Sequence, residues 1–71
     1  MSLGTNIMLR RLKLGMTQKE LGEKLGITPS AVTRWERGDC NPTMEKLVRL
    51  ARILECTAGD LLGESREENQ K

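Results

Sequence analysis

Apolar residues recur along this chain in short runs of helical spacing, and each run is fenced by residues that start or stop a helix. Ile7, Arg11 and Leu14 share one face at i, i+4, i+7, which predicts a first helix from Asn6 as N-cap to about Lys13 or Leu14, stopped by Gly15. Thr17 opens a second helix through a T-x-x-E capping box with Glu20; Leu21 and Leu25 form its buried face, Gly26 ends it, and Ile27 anchors the turn. Thr28-Pro29 starts a third helix with Thr as N-cap and Pro at N1, where a missing amide hydrogen costs nothing. Val32 and Trp35 point inward from it, and Gly38 closes it ahead of the Asp39–Pro42 loop. Thr43 caps a fourth helix to about Glu55, with the stripe Leu47, Leu50, Ala51 and Leu54 bordered by Met44 and Val48. A short fifth helix spans 58–62 with Thr57 as its cap and Asp60 at N3.

The expected fold is therefore all-α, a compact five-helix domain over residues 6–63. Residues 1–5 are set apart as an N-terminal segment, its MSLG reading as a cloning remnant, and 64–71 as a polar tail without apolar periodicity. Gly22 departs from the helical pattern. A glycine inside a helix costs about 1 kcal/mol relative to alanine, so another backbone is expected to pass close at that point.

At 71 residues there is room for one domain and none for a second that senses a ligand, so no small-molecule effector is expected. With no His and two unclustered cysteines, Cys40 and Cys56, the sequence offers neither a zinc ligand set nor a disulfide framework, which suits a reducing cytoplasm. Cys56 falls at a core position; Cys40, in the loop, is open to two readings, an inert surface thiol or a redox-sensitive one. No apolar run approaches the ~20 residues of a membrane span. Residues 1–62 hold ten Lys/Arg against seven Asp/Glu and the remainder two against three, a mild excess that permits nucleic-acid binding without demanding it. No Gly-rich phosphate loop and no acid converging on a nucleophile are present, so neither catalysis nor a cofactor is expected.

Taken together, G-M-T-Q at 15–18, the positions Leu21, Gly22, Leu25, Gly26, Ile27, Val32 and Trp35, W-E-R-G at 35–38 with Asn41-Pro42, and L-A-x-x-L before C-T-x-x-x-L-L closely resemble the helix-turn-helix family of lambdoid phage repressors and Cro proteins, the XRE family. The resemblance covers about residues 6–63. It implies a cytoplasmic regulator of transcription, binding operator double-stranded DNA as a homodimer, with helices two and three as the helix-turn-helix and the third in the major groove. By position it implies that Pro29, Ser30, Thr33 and Arg34 meet base edges, and that Thr17, Gln18, Arg37, Asn41 and Thr43 meet phosphates, Gln18 also buttressing the reading side chains. Arg34 is the strongest reader, because a guanidinium can bond guanine O6 and N7 together.

The same resemblance implies an ion pair between Arg11 and Glu36 that braces the third helix, and a dimer surface around Leu61 and Leu62. Pro29 stands where the family commonly has a polar reader, so that position is expected to contribute shape. Trp35 stands where Ile or Leu is commoner and reads as packing. The competing reading is a protein-interaction module that keeps this fold without binding DNA.

Overall fold

The computed structural model describes residues 2–63; the tail expected over 64–71 lies outside them. Among the described residues there are five helices and no strand: α1 Leu3–Lys13, α2 Gln18–Leu25, α3 Pro29–Arg37, α4 Met44–Ile53 and α5 Ala58–Leu62. Every start is a side-chain cap. The Glu20 N–H donates to Thr17 Oγ1 at 3.0 Å while the Thr17 N–H donates to Glu20 Oε1 at 2.8 Å, completing the capping box. Thr28 and Thr43 accept from the amides of Ala31 and Lys46, and Thr57 with Asp60 repeats the box on α5.

The first helix begins ahead of the predicted Asn6. Ser2 is the N-cap, its hydroxyl accepting from the Thr5 N–H at 3.1 Å, so residues 3–5 form the first turn of α1. Asn6 has another task. Its Nδ2 donates to the Leu61 carbonyl at 2.8 Å and ties α1 to the end of α5. Gly4 is buried where α1 crosses the end of α3, and a Cβ there would press on the carbonyls of Trp35 and Glu36.

The turn between α2 and α3 is built from two glycines. Gly26 takes φ 74°, which lets the Ile27 N–H return to the Gly22 carbonyl at 2.9 Å and close α2. Gly22 faces that turn directly. A Cβ there would sit 2.8 Å from the Ile27 carbonyl oxygen and 3.3 Å from the Thr28 carbonyl carbon, so the close approach read from the sequence is to the turn itself. The same closure ends α4, where the Cys56 N–H donates to the Ala51 carbonyl at 2.9 Å, but the left-handed residue there is Glu55, at φ 60°.

Ile7, Leu21, Leu25, Val32 and Trp35 meet Leu47, Leu50, Ala51, Leu54 and Leu61 in one core. α3 packs mainly on α1 and α2, while α4 packs on α2 and α5. The edges of the apolar stripes are set by the packing. Leu14 has left the helical face as the C-cap of α1, and Met44 and Val48 lie on the solvent side of α4, 69% and 41% exposed. Leu61, expected at a dimer surface, is fully buried in its own core, leaving Leu62 as the exposed leucine of α5.

Candidate nucleic-acid interface

With Val32 and Trp35 buried, the short α3 presents Ser30, Thr33, Arg34 and Arg37 at i, i+3, i+4 and i+7, a single outward face. Ser30, Arg34 and Arg37 are exposed, as is Pro29 at the helix start, and Thr33 is half-buried. Arg34 has no side-chain hydrogen bond or ion pair among the described residues, so its guanidinium keeps all its donors for a ligand. Arg37 Nε lies 3.7 Å from Asp39 Oδ2, with both side chains more than half exposed. Such a pair contributes about 0–1 kcal/mol, and a stronger anion would displace it. Asn41 and Thr43 are exposed beyond the end of α3, Thr43 serving also as the cap of α4.

Beneath this face lies a polar brace linking three helices. Arg11 of α1 donates through Nε to Glu36 Oε2 at 2.7 Å and through Nη2 to Oε1 at 3.1 Å, a two-pronged pair with side chains 9% and 4% exposed. Its remaining Nη1 donates to the Met16 carbonyl at 2.8 Å, in the turn that leads into α2. The guanidinium and carboxylate are thus satisfied on both sides, the condition under which a buried pair is tolerated. Gln18 extends the brace: Nε2 donates to Glu36 Oε1 at 2.9 Å, and Oε1 accepts from Thr33 Oγ1 at 2.8 Å.

The resemblance anticipated the Arg11–Glu36 pair and a buttressing role for Gln18, but gave Thr33 only an outward-facing contact. Both are joined to the brace as well as lying at the surface, a linkage between residues 15 and 18 positions apart that no periodicity reveals. Thr17 is partly committed: its N–H and one lone pair of its hydroxyl are used in the capping box, while the hydroxyl hydrogen has no acceptor among the described residues. The N–H groups left at that helix end are those of Gln18 and Lys19. Lys19 was not anticipated. It lines an open groove with Thr17, Gln18 and Pro29 where the end of α1 meets the first turns of α2 and α3, and its signal was its place at N2 beside the cap. Among the described residues no group of His, Cys, Asp and Glu is placed to hold a metal ion, and no helix is long and apolar enough to cross a membrane.

This geometry, two helices joined by a three-residue turn with the second exposed along one face, coincides with a helix-turn-helix family profile that matches residues 7–61. The chain belongs to that family. Its XRE-type relatives include the transcriptional regulator DicA of Escherichia coli, 39% identical over 57 residues, and repressor protein C2 of Salmonella phage P22, 37% identical over 60. The alignments take in 80% and 84% of this chain but 42% and 28% of those proteins, so it spans less than half their length. A crystal structure of the P22 c2 repressor with a synthetic operator superposes with a TM-score of 0.86 and 34% identity over 92% of this chain and 98% of that one. The same fold matches 32% of the hydroxypropylphosphonic acid epoxidase of S. wedmorenis, with a TM-score of 0.79 and 31% identity over 84% of this chain.

Proposed function

We propose that this chain binds double-stranded DNA in a sequence-specific manner and regulates transcription without catalysing a reaction. α3 enters the major groove with Pro29, Ser30, Thr33 and Arg34 against base edges, Arg34 carrying most of the discrimination. Thr17, Gln18, Arg37, Asn41 and Thr43 meet the flanking phosphates, Thr17 also holding the start of α2 in place. The observation that carries this reading is the outer face of α3, where Arg34 is exposed and unpaired among the described residues while the opposite face is locked into the core. The repressor that superposes on this chain was crystallised with an operator, which supports the same docking.

Two copies would set their α3 helices about 34 Å apart in successive turns of a palindromic site. Because Leu61 is buried, pairing at this end of the molecule would draw on exposed Leu62 and its surroundings. Mobility-shift titration against pooled random duplexes at two salt concentrations tests the reading. Binding that selects a subset of sequences and weakens steeply with salt supports it; no binding at low salt refutes it and leaves a protein-interaction module as the alternative. Within bound complexes, Arg34→Ala should relax sequence preference, whereas Arg37→Ala should weaken binding to all sequences alike.

A further inference from the structure

We infer that Thr33 reads its base as a hydrogen-bond acceptor, selecting an exocyclic amino group (adenine N6 or cytosine N4), because the brace beneath α3 consumes the only hydrogen its hydroxyl can donate. The inference rests on the DNA-reading role proposed above and adds the chemistry of one position.

The direction of each bond follows from the one before it. The Glu36 carboxylate, held through both oxygens by Arg11, can only accept. Gln18, 2.9 Å from Glu36 Oε1, must therefore turn its NH2 toward the carboxylate, which leaves its carbonyl oxygen facing α3. Thr33 Oγ1 is 2.8 Å from that oxygen and 3.1 Å from the Pro29 carbonyl, one turn back along its own helix. Both neighbours are acceptors. Whichever it chooses, the hydroxyl hydrogen stays inside the protein, and no described donor takes up the lone pairs of Oγ1. Toward a ligand the hydroxyl is then acceptor-only.

In the major groove this divides the bases. Guanine offers O6 and N7, both acceptors, and thymine offers O4, also an acceptor, so neither can bond a hydroxyl without a free hydrogen. Adenine N6 and cytosine N4 each carry hydrogens to give. A free threonine hydroxyl would serve either class by rotating; here Arg11, three residues removed along the chain of hydrogen bonds, sets which class is served. Gln18 gains a complementary polarity, since the second hydrogen of its NH2 remains for a phosphate oxygen.

Selection of bound duplexes from a random pool, run in parallel with the wild-type chain, Thr33→Val and Thr33→Ser, tests this. The valine keeps the shape and loses the acceptor; the serine keeps the hydroxyl, and thermal unfolding of each variant verifies that the fold persists. The expected result is one base pair per half-site that wild type and Thr33→Ser enrich and Thr33→Val does not. At that position, a base analogue lacking the exocyclic amino group should weaken wild-type binding on the order of 5-fold, the scale of one hydrogen bond, and leave Thr33→Val binding unchanged. Wild-type binding that is unchanged by loss of that amino group but weakened by loss of the partner base's major-groove oxygen, or profiles identical for wild type and valine, would overturn the inference while leaving DNA reading intact. A flat profile at every position for all three proteins would overturn the reading itself, and this inference with it.

Discussion

Replacing Arg11 with Met removes the charge beneath α3 while keeping a side chain of comparable length. Three hydrogen bonds go with it, two to Glu36 and one to the Met16 carbonyl, and the Glu36 carboxylate, 4% exposed, is left with Gln18 alone. Breaking a buried pair from one side costs about 3–5 kcal/mol, mostly the penalty of an uncompensated charge. A chain of 71 residues has roughly 4–11 kcal/mol of total stability at the usual per-residue figure, so the substitution takes about a quarter of it or more. At about 4–8 °C per kcal/mol for a domain of this size, the Tm should fall by roughly 12–40 °C. Glu36→Leu should cost a similar amount by stranding the guanidinium. The double variant should lose much less than the two losses added together, since neither charge is then left alone. Urea unfolding followed by fluorescence of Trp35, the sole tryptophan, buried next to Glu36 in sequence, measures all four corners of the cycle. Single losses below about 1 kcal/mol, or losses that simply add, would show that water reaches the pair and that the brace does not hold α3.

Gly22→Ala should destabilise by about 1–2 kcal/mol, because overpacking against the Ile27 carbonyl, 2.8 Å from the new Cβ, outweighs the gain in helix propensity; an equal or higher Tm would mean that the turn yields. Glu55→Gly should raise stability by about 1 kcal/mol, relieving a left-handed non-glycine residue at φ 60°, and calorimetry reads it as a Tm increase of about 4–8 °C. Burial raises the Cys56 thiol above its ordinary value of 9.0, opposed by Arg10, while Cys40 is exposed, so a thiol reagent at mildly alkaline pH should label Cys40 first and Cys56 slowly. Since the folded state holds the Cys56 proton more tightly than the unfolded chain, its contribution to stability is present below that ordinary value and is lost as the pH rises through the folded one; a Cys56→Ala variant should show a flatter decline above pH 9.

The sequence by itself determined the five helices, the side-chain caps from Thr17 onward, the glycine stops and most of the core. Each of these depends on residues within four positions of one another, where spacing and side-chain chemistry act directly. It failed at Asn6 for an instructive reason. A cap-forming residue looks the same whether it begins a helix or, as here, reaches across to the Leu61 carbonyl from within one, and only the packing of α1 on α3 and α5 tells them apart. Leu61 was misjudged for a related cause: which apolar residue of a short helix is covered, and how wide the covered stripe is, depend on the neighbouring helix. The family's motif brought Arg11 and Glu36 together on paper; the tertiary structure decided that Gln18 and Thr33 join them. That chain of bonds connects three helices, and the direction of its hydrogens passes from a buried guanidinium to the outer face of α3, a property no single segment contains.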